Sequence, residues 1–102
     1  MAQSIAKFID HTLLSPTATD SDIKRICQEA RDYGFKAVCV AGSRLEFARK
    51  LLAESDVLLA AVVGFPHGNA STEAKSCEAA AYAASGADEL DVVLNTGWVK
   101  SG

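Results

Sequence analysis

Four side chains that fall within apolar, strand-like segments could carry proton-transfer or nucleophilic chemistry: Asp10, Thr12, Cys39 and Asp91. Asp91 stands in the middle of DELDVVLN, where an acid must find either a partner or a water-filled cavity. A carboxylate placed in this way can act as a general acid or base, and it can equally be a structural ion-pair partner. Thr12 could contact a substrate, although a β-branched filler is the simpler interpretation, and the apolar segment around Cys39 indicates a packed thiol.

The elements that must position these side chains alternate between strand and helix along the chain. Apolar segments predict strands at residues 9–14, 35–41, 57–63 and 88–95. Helical spacing predicts helices at residues 19–33 and 71–84, and another that begins at the S-x-x-E sequence of Ser43 and Glu46. This alternation indicates a parallel sheet with right-handed crossovers, whose strands are covered on both faces.

Each predicted helix has one apolar face. Thr19 and Asp22 form a capping box at the start of the first helix, and Gly34 ends it. The predicted core-facing residues are Ile23, Ile26, Cys27, Ala30 and Tyr33, then Leu45, Ala48 and Leu52, then Ala74, Cys77, Ala81 and Ala84. Cys27 and Cys77 are therefore expected to be small buried side chains.

Two architectures fit this pattern as a single unit over residues 1–102: an open flavodoxin-like sheet, and a four-stranded parallel half of a TIM (β/α)₈ barrel. Periodicity does not distinguish them. The last strand favours the barrel, because a barrel interior near the active-site mouth accommodates an acid such as Asp91. A flavodoxin-like module would also need a Gly-rich phosphate loop after the first strand, and LLSPTATD lacks one.

Composition argues against several classes of function. The formal net charge is −3 with acidic and basic residues interspersed, which predicts no surface for nucleic acid or for an anionic membrane. No apolar run is long enough to span a bilayer, and residues 1–8 lack the apolar stretch of a signal peptide, so we expect a cytoplasmic protein. Three widely spaced cysteines without a CxxC pair indicate neither a disulfide framework nor a metal site.

Four segments together resemble the deoxyribose-phosphate aldolases: IDHTLLSPTAT at 9–19, YGFKAVCV at 33–40, VVGFPHG at 62–68 and GADELDVVLNTGWVKSG at 86–102. They follow one another in the family's order and spacing over nearly all of the chain. The resemblance implies a TIM barrel, of which this chain would be the N-terminal half. It also implies a metal-free Schiff-base (class I) aldolase without a cofactor, which interconverts 2-deoxyribose 5-phosphate with acetaldehyde and glyceraldehyde 3-phosphate.

The resemblance also implies roles for individual residues. Asp91 matches the family's proton-relay aspartate, which would orient a water or a lysine and move a proton at the methyl carbon of the aldehyde. Asp10 matches an acid that supports the lysine network, although an acid that caps or turns the chain fits this position equally well. Cys39 matches a cysteine near the aldehyde site of some members. The nucleophilic lysine and the lysine that lowers its pKa lie on the family's sixth and seventh strands, beyond residue 102.

None of the lysines in this chain is expected to replace the Schiff-base lysine. Lys36 opens the second strand, which is the wrong end of a barrel strand for chemistry. Lys100 follows the last strand, but it lies in a short polar tail where nothing would desolvate the amine and lower its pKa. The other lysines belong to the N-terminal segment or to helices: Lys7, Lys24, Lys50 and Lys75. The isolated chain is therefore expected to be inactive.

Two hypotheses of function remain. The first is an aldolase that acts on a small phosphorylated sugar or aldehyde and needs the other half of the barrel, in cis or in trans. The second is a non-catalytic half-barrel, truncated or engineered, that folds and self-associates. Because a barrel cut after its fourth strand has two free edges and an apolar inner surface, we expect a homo-oligomer, most simply a dimer.

Overall fold

A single four-stranded sheet organises the chain in the computed structural model, which describes residues 4–102. The strands are β1 (Asp10–Leu13), β2 (Ala37–Val40), β3 (Leu58–Val63) and β4 (Glu89–Val92). The helices are α1 (Asp20–Tyr33), α2 (Leu45–Leu51), α3 (Thr72–Ala84) and α4 (Thr96–Ser101), with 3₁₀ turns at Ile5–Phe8 and Gly42–Arg44. The predicted strands and the three predicted helices are all confirmed, and their observed bounds lie inside the predicted ones.

All neighbouring strands are parallel, and their order is β1-β2-β3-β4. In the flavodoxin-like alternative, the second strand would lie outside the first, in the order 2-1-3-4, with helices on both faces. The observed order is that of one half of a (β/α)₈ barrel, so the flavodoxin-like alternative is wrong. Within the described part of the chain, β1 and β4 form the two edges of the sheet.

The hydrophobic core lies between one face of the sheet and the helices. Alternate strand residues point into it, because successive side chains of a strand lie on opposite faces. The largest core side chains are fully buried: Ile23, Leu45, Leu52, Leu59, Val38 and Val40. The predicted core residues of α1 and α2 are confirmed except for Tyr33, which is 69% exposed. Its ring stacks instead on that of Phe35, with 5.7 Å between the ring centroids.

The other face of the sheet carries the residues that alternate with those core positions. We call it the open face, and its members are Asp10, Thr12, Ala37, Cys39, Leu58, Ala60, Val62, Glu89 and Asp91. Ala37, Cys39 and Ala60 are buried, whereas Asp10, Thr12 and Asp91 are exposed. Small side chains therefore line the middle of this face, and polar side chains line its two outer strands.

The first helix begins and ends as its sequence predicts. The Thr19 hydroxyl accepts a hydrogen bond from the N–H of Asp22, and the Asp22 carboxylate accepts one from the N–H of Thr19. The backbone hydrogen bond from Thr19 is the main reason why the pKa of Asp22 is lowered. Gly34 ends the helix with φ 67°, a left-handed conformation that glycine adopts without steric cost.

The predicted start of α2 is wrong. Residues Gly42–Arg44 form a 3₁₀ turn, and α2 begins at Leu45 with Arg44 at its N-cap and without a side-chain cap hydrogen bond. The N–H of Arg44 donates to the carbonyl of Ala41, which places Ser43 inside the 3₁₀ turn rather than at the N-cap of α2.

The predicted core-facing side of α3 is also wrong, because Ala74, Cys77, Ala81 and Ala84 are exposed. The partly buried side carries Lys75, Glu78, Ala79 and Tyr82. Tyr82 is the one large apolar ring in this helix, and it packs against the core. An alanine-rich helix has a weak amphipathic pattern, so this ring and its polar neighbours determine which side faces the sheet.

The segment that follows β4 is a short helix rather than the predicted polar tail. The side chain of Asn95 caps α4 by accepting a hydrogen bond from the N–H of Trp98 at 3.1 Å. Lys100 lies on α4 and is exposed. Among residues 4–102, none of the helices combines the length and the apolar character that crossing a membrane requires.

Candidate functional site

The centre of the open face is a contact between two strands that are not neighbours. The Cys39 thiol of β2 donates to Asp91 Oδ2 of β4, with 3.8 Å between Sγ and the oxygen. Ala60 of β3 pairs with Cys39 and lies between them. Its methyl group leaves the space that lets the two side chains meet across β3. The structure therefore places Asp91 beside Cys39 on this face.

Cys39 is a buried and protonated thiol. Burial raises its pKa to about 11, and the negative charges of Asp91 and Asp10 contribute in the same direction. Because the thiolate is the reactive form of cysteine, a thiol with this pKa is a weak nucleophile at neutral pH. The chemistry that fits it is donation of a hydrogen bond to the Asp91 carboxylate.

Asp10 and Thr12 lie on the same face at the β1 edge. Thr12 pairs with Cys39 in the parallel register, and Asp10 pairs with Ala37. The Thr12 hydroxyl donates to the backbone carbonyl of Asp10 at 2.9 Å. The structure thus brings all four predicted site residues to one face, with Asp10 nearest the amino end of the sheet and the other three nearer its carboxyl end.

Glu89 of the open face forms an ion pair with Lys36, the residue before β2, which the sequence did not reveal. Lys36 Nζ lies 3.0 Å from Glu89 Oε2. The hydrogen bond to Glu89 and its charge raise the pKa of Lys36, and the charges of Asp10 and Asp91 add to the effect. An amine held in the charged form by carboxylates is a poor nucleophile, so Lys36 is unsuited to form an imine.

The remaining lysines lie away from the open face. Lys75 Nζ donates to the carbonyl of Val93 on the helix side of the sheet, at 2.9 Å. The other four are exposed: Lys7, Lys24, Lys50 and Lys100. No lysine of residues 4–102 therefore combines burial with a position on the open face.

The described residues also bring no three side chains of His, Cys, Asp or Glu together in a way that could hold a metal ion. The functional groups of the open face are carboxylates, a hydroxyl and a protonated thiol. Such a set can accept and return protons and can orient a polar substrate. Covalent catalysis through an imine would need a nucleophilic amine, which none of these groups supplies.

Comparison with known proteins gives one consistent family. The model of the DeoC/LacD family aldolases matches residues 4–101. The chain is 52% identical over 99 residues to a deoxyribose-phosphate aldolase of Alkaliphilus oremlandii, covering 97% of this chain and 45% of that protein. It is 50% identical over 101 residues to a deoxyribose-phosphate aldolase of Aciduliprofundum boonei, covering 99% and 46% respectively.

A solved structure agrees with this result. The tetrameric deoxyribose-phosphate aldolase of Aeropyrum pernix superposes with a TM-score of 0.85 at 39% identity, covering 92% of this chain and 40% of that one. The chain therefore spans slightly less than half the length of the relatives it matches.

Proposed function

Because the chain belongs to the DeoC/LacD family of aldolases, we propose that it supplies the proton-transfer part of a Schiff-base aldolase. The reaction is the interconversion of 2-deoxyribose 5-phosphate with acetaldehyde and glyceraldehyde 3-phosphate. The observation that carries this proposal is the Asp91 carboxylate on the open face, 3.8 Å from the Cys39 thiol. The substrate is a small phosphorylated sugar or aldehyde, and the reaction needs no cofactor or metal.

Each residue of the open face has a proposed part in this reaction. Asp91 moves the proton at the methyl carbon of the bound aldehyde, either directly or through a water. Cys39 keeps the carboxylate of Asp91 in place by donating a hydrogen bond to it. Thr12 contacts the substrate, and Asp10 supports the amine that forms the imine. That amine comes from polypeptide outside residues 1–102, because the lysines within them are exposed, paired or on the wrong face.

The complete aldolase is proposed to act in the cytoplasm as a homo-oligomer. The described helices lack a membrane span, and the related protein of Aeropyrum pernix is a tetramer. Both observations support this proposal.

Complementation tests the proposed activity. The chain is co-expressed with the part of the Alkaliphilus oremlandii protein that it does not match, and cleavage of 2-deoxyribose 5-phosphate is measured. We expect turnover in the complemented sample only. Asp91→Asn should then lower kcat strongly with little change in KM, because the role is proton transfer.

Cys77→Ser is the matched control, since Cys77 is exposed on α3 and away from the open face. A soluble complex that does not turn over would contradict the proposed activity. An Asp91→Asn effect confined to KM would contradict the relay role.

A second candidate function is a non-catalytic half-barrel that folds and self-associates. Exposed apolar side chains at the β4 edge favour it, with relative exposures of 58% for Val92, 63% for Leu94 and 63% for Trp98. β4 also has a free edge in the described chain, and an edge with apolar neighbours is a site for pairing with another chain. A stable oligomer that stays inactive after complementation would support this candidate over the aldolase.

A further inference from the structure

One side of α3 makes polar contacts to the ends of two strands. Lys75 Nζ donates at 2.9 Å to the carbonyl of Val93, the residue that follows β4. Glu78 Oε1 accepts at 2.8 Å from the N–H of Gly64, the residue that follows β3. The Tyr82 hydroxyl donates to the second oxygen of Glu78, also at 2.8 Å. We call Lys75, Glu78 and Tyr82 the α3 clamp.

The clamp also reaches the segment that follows β2. The Tyr82 ring lies directly against Gly42, where a Cβ atom would be only 2.0 Å from the ring carbon Cζ. Gly42 opens the 3₁₀ turn between β2 and α2. A single helix face therefore contacts the carboxyl ends of β2, β3 and β4.

The residue types of the clamp are unusual for their position. The sheet-facing side of a helix normally carries apolar residues, because burying a polar group without a partner is costly. Lys75 and Glu78 face the sheet and bind backbone groups at strand ends, while the exposed side of α3 carries Ala74, Cys77, Ala81 and Ala84. Lys75 Nζ and Glu78 Oε1 each bind a backbone group at a strand end, so the clamp links α3 to the carboxyl ends of β4 and β3.

The strand ends that the clamp holds are close to the site residues. Asp91 lies two residues before Val93, whose N–H is in turn bonded to the carbonyl of Val63 at 2.9 Å. Cys39 lies three residues before Gly42. As an edge strand with one neighbour, β4 depends on β3 and on Lys75 for its position relative to β2.

We propose that Lys75, with Glu78 and Tyr82, is a positioning residue that holds the Asp91 carboxylate beside the Cys39 thiol. Its consequence for catalysis rests on the proposed aldolase function, in which Asp91 is the relay acid. The positioning itself is a property of this chain and is measurable without any activity.

The Cys39 thiol reports the position of Asp91. The rate of alkylation by iodoacetamide is measured at Cys39 by peptide mass spectrometry, in a Cys77→Ser chain that lacks the exposed thiol. Lys75→Met removes the donor and keeps an unbranched side chain that is only one heavy atom shorter. We expect Cys39 to react about three- to fivefold faster at pH 8. Removing a charge at this distance lowers a thiol pKa by about one unit and raises the thiolate fraction about tenfold, while each thiolate becomes less nucleophilic.

The direction of the change separates positioning from simple electrostatics. Deleting the cation of Lys75 would by itself raise the pKa of Cys39 and slow the reaction. If the Asp91 carboxylate moves away, the pKa of Cys39 falls and its alkylation becomes faster. Lys75→Arg keeps a donor for the Val93 carbonyl, so it should keep a rate near that of the parent chain.

Two further variants exclude general loosening of the fold. Arg49→Met removes the contacts of Arg49 with Asp88 and with the carbonyl of Gly86, which lie at the other end of the sheet. It should leave the Cys39 rate unchanged. In an Asp91→Asn chain, whose thiol already lacks the charged neighbour, Lys75→Met should add less than a twofold change.

The proposal is overturned if Lys75→Met leaves the rate unchanged or slows it. It is also overturned if Arg49→Met, or Lys75→Met in the Asp91→Asn chain, accelerates the reaction as strongly as Lys75→Met alone. In the complemented aldolase, Lys75→Met should lower kcat with little change in KM, and Lys75→Arg should restore it. Absence of turnover with the parent chain would contradict the aldolase function, while the alkylation result would still decide the positioning.

Discussion

Lys36 Nζ lies 3.0 Å from Glu89 Oε2, so an ion pair joins the amino end of β2 to the amino end of β4 across β3. Both side chains are partly exposed, and such a pair contributes little to the free energy of folding. Its importance is electrostatic, because it places one cation on a face with the three carboxylates Asp10, Glu89 and Asp91. The pair also keeps the Lys36 amine protonated, which bears directly on covalent chemistry.

The first prediction is that the isolated chain forms no trappable imine. Acetaldehyde and borohydride should give no stoichiometric single ethyl addition by intact-mass analysis at neutral pH. The reason is that the pKa of Lys36 is raised by Glu89, while Lys100 is exposed and solvated. A single addition that disappears in Lys100→Arg, and persists when the other lysines are changed, would show that α4 activates this amine.

The second prediction concerns alkaline stability. Burial raises the pKa of Cys27 to about 11, above the value of about 8.5 that a thiol has in an unfolded chain. Because the folded-state pKa is the higher one, this stabilising contribution is complete below about pH 8.5 and is lost as pH rises towards 11. The free energy of unfolding should therefore fall over this range, by up to about 1.4 kcal/mol per pH unit for one thiol.

Urea unfolding at several pH values measures this slope. Cys27→Ala should lower stability at neutral pH, because it removes buried volume, and it should also make the alkaline slope shallower. Cys39 contributes to the same slope, since its pKa is likewise raised to about 11. An unchanged slope in a chain with both Cys27→Ala and Cys39→Ala would mean that other groups cause the fall in the free energy of unfolding at alkaline pH.

The third prediction is that Gly68→Ala destabilises the fold. Gly68 has φ 72°, and a Cβ atom there would lie 2.3 Å from the carbonyl oxygen of Leu94. The left-handed conformation and this contact together should cost about 2 kcal/mol or more. Thermal or urea unfolding measures the loss.

Gly97→Ala is the matched control, because Gly97 lies in α4 and its Cβ would be 3.4 Å from Asn95 Oδ1. It should leave stability unchanged or raise it by up to about 1 kcal/mol through helix propensity. Equal losses in the two variants would contradict the close approach of residues 64–68 to the end of β4.

The fourth prediction is concentration-dependent self-association through the β4 edge. Val92, Leu94, Trp98 and Val99 are all more than half exposed. Burying apolar surface contributes about 25 cal/mol per Å², so several hundred Å² give several kcal/mol towards association. Sedimentation equilibrium over micromolar concentrations should detect an oligomer.

Val92→Lys combined with Leu94→Lys should weaken this association by at least about tenfold, because each lysine adds a positive charge to residues 88–95, which contain neither lysine nor proline. Ile5→Lys is the control, since Ile5 is 78% exposed but belongs to the N-terminal 3₁₀ turn. A chain that is monomeric at every concentration would contradict the prediction, and so would an Ile5→Lys effect as large as that of the double variant.

The sequence alone determined the elements and their order in the sheet. Apolar segments such as VLLAAVV and the capping box of Thr19 and Asp22 are local signals, and local signals predicted the four strands and the first three helices, although not the start of α2 or the short helix α4. The resemblance of four segments to the aldolases favoured a half-barrel over a flavodoxin-like sheet. The alternation of β4 was sufficient to place Asp91 and Glu89 on the face opposite Leu90.

The tertiary structure decided what the local signals left undetermined. The rotation of α3 was not readable from TEAKSCEAAAYAA, because alanine fits either environment; the packing of Tyr82 and the backbone groups of Gly64 and Val93 decided it. The pairing of Lys36 with Glu89 and of Cys39 with Asp91 likewise depends on strand register across β3. Register is a relation between segments far apart in the chain, and only the assembled sheet brings their side chains within a few ångströms of one another.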